Sequence, residues 1–150
     1  MEPIIETKNI RLQVHADNWE EALWLSGGLL LDSGYITKEY IQMTIDTVKE
    51  MGPYIVIGPG LALGHSRPDP SVLRTGISLI TLDQELDFGS ELGPVRVVMT
   101  LAAKDNNSHM DKLQVIAGLL SQEENMDKIC AARDVSQVAE MFNTFEFSSL

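Results

Sequence analysis

The stretch Gly52-Pro53-Tyr54-Ile55-Val56-Ile57-Gly58-Pro59-Gly60-Leu61-Ala62-Leu63-Gly64-His65-Ser66-Arg67-Pro68 is where helical periodicity stops and short apolar runs begin. Gly52-Pro53 forbids continuation of a preceding helix, because proline has no N–H to donate and its ring clashes with the turn before it. Residues 54–57 and 61–63 are short and apolar and are bounded by Gly and Pro, which predicts two buried strands. Working downstream, 77–82 and 95–101 are β-branched or leucine-rich runs of the same kind. Working upstream, Thr37 caps a helix to about Met51 whose inner face is Tyr40, Ile41, Thr44, Ile45 and Val48. Before it, Asp17 and Glu20 have capping-box spacing, and Trp19, Ala22, Leu23, Leu25, Leu29 and Leu30 recur at helical spacing until Ser33-Gly34. These two helices are expected to form an antiparallel pair.

Residues 10–14 alternate like a half-buried opening strand at a sheet edge. Past the strand region, Ser108 with Asp111 three positions on reads as the cap of a helix with inner face Leu113, Ile116, Ala117 and Leu120. Two shorter helices follow, at about 123–131 and 136–142. Helices before and after a run of strands describe an α/β layered domain, a central mixed β-sheet flanked by helices on both faces. The expectation is one domain over residues 1–150.

The chain has 150 residues, 44% of them hydrophobic, enough to bury a core without staples. Its 22 acidic against 11 basic residues give a net charge of −11, the wrong sign for a protein that neutralises nucleic-acid phosphates or an anionic membrane. The single cysteine, Cys130, allows neither an internal disulfide nor a thiolate zinc site, and reads as a small residue of the core. No signal peptide and no membrane span is legible, so a cytoplasmic location is expected.

Three histidines occur. His65 follows an apolar strand directly and lies among turn residues, which presents its ring at a sheet end, where open α/β folds place their sites. Arg67 offers a fork of donors to an oxyanion or phosphoryl group. A turn histidine without a chemical role is the competing reading. His109, just after Ser108, falls in the first turn of a helix, where free N–H groups favour an anion and disfavour imidazolium; the competing reading is a solvated helix start. His15 is read as a surface residue.

Two patterns are decoys. Gly64-His65-Ser66-Arg67-Pro68 resembles a nucleophile elbow but ends in Pro68 where the elbow needs glycine. Gly58, Gly60 and Gly64 resemble a dinucleotide fingerprint, yet no helix pattern opens there, and the glycines read as turns flanking a strand. A metal site on His65 and His109 would need Asp69, Asp105 or Asp111 to complete its ligands.

The run 52–68, together with Leu73-Arg74-Thr75-Gly76-Ile77-Ser78-Leu79, Ala102-Ala103-Lys104-Asp105-Asn106-Asn107-Ser108-His109 and Glu123-Glu124-Asn125, resembles the IIA components of the bacterial sugar phosphotransferase system, mannitol/fructose class. Within that class it is most similar to the ascorbate-specific proteins. The resemblance implies that His65 is phosphorylated by the histidine phosphocarrier protein and passes the group to a cysteine of the IIB component, which serves a membrane IIC. It implies that His109 supports the phosphoryl group, with Ser66, Arg67, Ser108 and Lys49 as further supporting residues, and that no metal, organic cofactor or direct sugar contact is involved. Family members usually carry Pro-His-Ala-Arg where this chain has Gly64-His65-Ser66-Arg67, a departure in which Gly64 is expected to loosen the backbone before His65 and Ser66 to add a hydroxyl for the ring or the phosphate. The mannitol branch has an arginine in the second helix where this chain has a position near Thr47, with Lys49 the nearest cation. The alternatives are a regulatory protein of the same fold, switched by phosphorylation of His65, and a histidine-based metal hydrolase.

Overall fold

The structure is a computed structural model and describes residues 3–146. A 3-10 turn at Thr7–Asn9 leads into β1 (Ile10–Val14), followed by helices α1 (Trp19–Asp32) and α2 (Lys38–Met51). Strands β2 (Val56–Gly58), β3 (Gly60–Gly64), β4 (Gly76–Leu86) and β5 (Val95–Ala102) come next, then helices α3 (Met110–Leu120), α4 (Glu123–Ala131) and α5 (Val135–Asn143). The strands make one sheet in the order β1-β4-β5-β3-β2. It is mixed: β1 with β4 and β3 with β5 are parallel, while β4 with β5 and β2 with β3 are antiparallel.

The sheet has a core on each face. Val98 and Ala102 of β5 pack with Ala22, Leu23 and Leu30 of α1 and Tyr40, Ile41 and Ile45 of α2. Val97, Met99 and Leu101 of the same strand face Ile116 of α3, Ile129 of α4 and Val138 of α5. This two-sided cover explains why β5 reads as a continuous apolar run rather than an alternating one. It is the α/β layered domain expected, with helices on both faces. Lys49 in the last turn of α2 pairs with Glu20 in the first turn of α1, 3.5 Å away, so the two helices run antiparallel.

Several local readings change. The cap of α1 is Asn18, whose Oδ1 accepts from the Glu21 N–H at 2.9 Å, because Asp17 is engaged with His15. The centre of the buried α1 face is Ser26 and Gly27, both polar or featureless in a hydropathy scan. Ser26 Oγ lies 2.9 Å from Thr100 Oγ1 and 3.3 Å from Ser78 Oγ, a hydroxyl cluster between helix and sheet in which each group finds a partner. A Cβ on Gly27 would come within 2.7 Å of Ile41, so glycine sets the approach of α2. Strand β2 begins at Val56 rather than Tyr54, and Ala117 of α3 is exposed, its place on the inner face taken by Val115 and Leu119. Gly58 and Gly60 serve the β2–β3 hairpin, Gly60 at φ +81°, which a side chain would strain.

Candidate functional site

Because β3 and β5 are parallel neighbours, Gly64 pairing with Thr100, both strands release the chain at the same end of the sheet. His65 is the first residue past β3, and His109 follows the loop that leaves β5. Strand β4 enters from that end too, Gly76 pairing with Ala102. The connection 65–75 therefore crosses over the end of β5, and the sheet order alone brings His65, Thr75 and the 103–109 loop to one edge.

The His65 ring is half-buried and its Nδ1 lies 2.6 Å from the Leu63 carbonyl. A carbonyl can only accept, so Nδ1 carries the proton and Nε2 of the neutral ring keeps its lone pair. The Tyr54 hydroxyl donates to the His65 carbonyl at 2.5 Å, and the Tyr54 ring stands edge-on to the imidazole, centroids 5.2 Å apart. The Ser66 N–H donates to the Tyr40 hydroxyl at 2.9 Å, and that hydroxyl donates to the Leu101 carbonyl, also at 2.9 Å. Burial pushes the Tyr40 hydroxyl up to about 12, so it stays protonated at neutral pH.

Gly64 belongs to β3 with ordinary backbone, and a Cβ there would stand 3.0 Å from Leu23 Cδ2. Its role is to let α1 close over the strand end rather than to loosen the residue before His65. Arg67 is exposed, and its charge helps hold the Asp69 carboxyl below the usual range, after the larger effect of hydrogen bonds from Ser71. Lys49 is turned to Glu20 on the surface. Thr47 donates to the Met43 carbonyl of its own helix.

On the other loop, Asp105 accepts from the Asn107 and Ser108 N–H groups at 2.8 and 2.6 Å, and these bonds hold its carboxyl below the usual range. Ser108 is therefore not a side-chain cap. Its Oγ sits 2.7 Å from Thr75 Oγ1, which also accepts from the Lys104 N–H at 3.0 Å, and the cap position of α3 is His109 itself. Thr75 thus latches the 103–109 loop to the strand-β4 entry. His109 Nδ1 is buried without a hydrogen-bond partner among the described residues.

Sequence reading named the two histidines but missed Tyr40, Tyr54, Thr75 and Asp105 as their supports. The available signal was a tyrosine at a core position, whose hydroxyl must find a partner. His15 is exposed between Asp17 and Asp83, which raise its pKa, and Cys130 is half-buried on α4. Among the described residues no group of three or more His, Cys, Asp and Glu is placed to hold a metal ion, and no helix is long and apolar enough to cross a membrane. A cavity of about 790 Å³ lies at the opposite sheet end beside Ile57, Gly60, Arg96 and Ile116, and no histidine lines it.

Residues 3–144 match the family model for the phosphoenolpyruvate-dependent sugar phosphotransferase system, EIIA 2. The chain is 38% identical over 142 residues to the ascorbate-specific PTS system EIIA component of Escherichia coli K12, covering 93% of this chain and 92% of that protein. Its fold superposes on the mannitol-specific cryptic phosphotransferase enzyme IIA of Escherichia coli with a TM-score of 0.83 at 33% identity, covering 93% and 95% of the two chains. It also matches the mannitol IIA of Escherichia coli solved in complex with phosphorylated IIB, with a TM-score of 0.78 at 26% identity over 92% of this chain and 96% of that one. With the sheet-end histidines in place, the chain belongs to the EIIA 2 family of the phosphoenolpyruvate-dependent sugar phosphotransferase system, and is a phosphotransferase component that works through a phosphohistidine.

Proposed function

We propose that His65 is the phosphorylated residue, that it takes the phosphoryl group from the histidine phosphocarrier protein, and that it delivers it to a cysteine of a cognate IIB component. The observation that carries this reading is the bond from His65 Nδ1 to the Leu63 carbonyl, which leaves Nε2 as the nucleophilic nitrogen. The Nε2 lone pair attacks phosphorus as the bond to the donor's ring nitrogen breaks, and the donor nitrogen keeps that electron pair. The phosphorylated His65 ring is then cationic, with Nδ1–H still held by Leu63. A IIB thiolate reverses the process, forming a P–S bond while Nε2 recovers its pair.

Such transfer needs positioning and charge stabilisation more than covalent help. A phosphoryl group brings about −1.5 to −2 of charge at neutral pH if phosphohistidine behaves as other protein phosphates do. Arg67, the His109 ring and the N-terminal amides of α3 are the groups at this sheet end that can receive it. The protein works in the cytoplasm with a membrane IIC and does not bind the sugar. Similarity to ascorbate-specific relatives supports ascorbate over mannitol as the sugar its system takes up.

The test is incubation with phosphoenolpyruvate, enzyme I and the phosphocarrier. An acid-labile phosphate forms on the wild type and is lost in His65→Ala; label persisting in that variant overturns the assignment. Transfer from the phosphorylated protein to ascorbate-type and mannitol-type IIB proteins, run side by side, decides the sugar class.

A further inference from the structure

Two tyrosine hydroxyls from different parts of the chain end on one peptide at the exit of β3, the unit that joins His65 to Ser66. Tyr40, in the first turn of α2, meets Ser66, and Tyr54, in the turn before β2, meets His65. The roles of the two hydroxyls differ. Tyr54 donates one bond to a carbonyl beside which it also stacks edge-on. Tyr40 is used in both directions: it accepts the Ser66 N–H from the exit of β3 and donates to Leu101, the penultimate residue of β5. The Ser66 carbonyl lies 3.3 Å from the same hydroxyl, so both backbone polar groups of Ser66 are gathered onto this one oxygen.

The two strands pair directly only as far as Gly64 and Thr100. Beyond that rung the chain to His65 and the chain toward His109 separate, and backbone pairing no longer holds them at a set spacing. The Tyr40 hydroxyl stands in the place of the next rung. Its ring is 1% exposed, so the oxygen has no freedom to follow either loop.

We propose that Tyr40 is a positioning residue for phosphoryl transfer, its hydroxyl bridging the exits of β3 and β5 so that the His65 nucleophile is held at a fixed place relative to the strand that leads to His109. The inference rests on His65 being the phosphorylated residue. Tyr40 touches neither the phosphoryl group nor the reacting nitrogen, and acts by setting where that nitrogen stands. High burial keeps the hydroxyl protonated, so the bridge keeps its donor throughout the working pH range.

The experiment compares wild type with Tyr40→Phe, and with Thr44→Val as a control. Thr44 is a buried hydroxyl of the same helix that donates to the Tyr40 carbonyl, away from the strand exits. Phosphoryl uptake from the phosphorylated phosphocarrier is measured over a range of donor concentrations. Tyr40→Phe should keep KM while kcat falls about 10- to 100-fold, the scale of a misplaced reacting group, and Thr44→Val should lose stability but keep kcat. Wild-type kcat in Tyr40→Phe, or an equal kcat loss in Thr44→Val, overturns the proposal.

A second measurement needs no variant to fold. In the wild-type protein the Ser66 amide, although outside the sheet, should exchange with solvent as slowly as amides bonded within it; exchange at the rate of an open loop overturns the bridge. If label persists in His65→Ala, the nucleophile assignment fails and this inference with it. If labelling depends on His65 but Tyr40→Phe is unimpaired, only the bridge is lost.

Discussion

The two histidine segments of this protein are held in contrasting ways. His65 is one residue past a fully buried strand, its ring is tied to the backbone two residues earlier, and tyrosines from two other parts of the chain grip the carbonyl and the N–H of the peptide that follows it. His109 arrives through a loop in which residues 104–108 are all exposed, held by an Asp105 turn of its own and by hydroxyl contacts to Thr75. One is built into the sheet end; the other is latched onto it. The difference fits a division of labour in which a nucleophile must be presented to successive partners in one geometry, while a supporting ring need only meet the phosphoryl group once it is there.

The largest test of this contrast is His109→Ala. The variant should still accept phosphate on His65, while transfer onward to IIB slows by about 10²–10³-fold, the usual cost of removing one donor from a site of developing charge. Stopped-flow or quench measurement of the two half-reactions separates them, and equal slowing of both would show that the histidines act as one rigid unit.

Thr75→Val removes the latch while keeping the side-chain shape. Lys104 N–H loses its partner and Ser108 Oγ loses a neighbour, so the 103–109 loop loosens. Onward transfer should fall about 10-fold or less, with a stability loss of about 1 kcal/mol by denaturant titration, since the lost bonds are largely solvent-accessible. A drop as deep as that of His109→Ala would mean the loop is positioned as tightly as the His65 turn.

The smallest effect belongs to Asp105. Hydrogen bonds from Asn107 and then Ser108 lower its carboxyl pKa, so the charged form is favoured in the folded loop. Its contribution is therefore complete above the ordinary value of 3.8 and fades as pH falls through the lowered one. The protection of the Asn107 and Ser108 amides, taken relative to their intrinsic exchange rate at each pH, should be steady at neutral pH and fall only in that acid range, and Asp105→Ala should show the low protection at every pH with a few-fold loss of transfer. Acid should leave the Ser66 amide protected while the Asp105 carboxyl titrates, which is the sharpest form of the contrast between the two segments.

Much of this was legible beforehand, for local reasons. Strand β1 falls where alternation places it, helix α4 spans the residues expected of it, and the inner face of α2 matches residue for residue. Two capping readings failed because the side chain had a competing partner. Asp17 turned to His15, and Ser108 turned to Thr75, so neither capped the helix that follows. Ser26 and Gly27 were invisible as core because their burial depends on close approach to Thr100 and Ile41 rather than on hydropathy. Gly64, read as a loosening of the turn, is a clearance for Leu23.

By itself the sequence determined the layered class, the helix and strand inventory, and the two histidines at element ends, because periodicity and chain-breaking residues act over a few positions and need no distant partner. Only the tertiary structure decided that both histidines stand at one sheet edge, since that follows from β3 and β5 being parallel neighbours, and strand order is set by packing across the whole domain. It also decided which His65 nitrogen is bare and which hydroxyls hold the turn. Those are matters of single hydrogen bonds, formed between residues that can lie 61 positions apart and become neighbours only when the sheet closes.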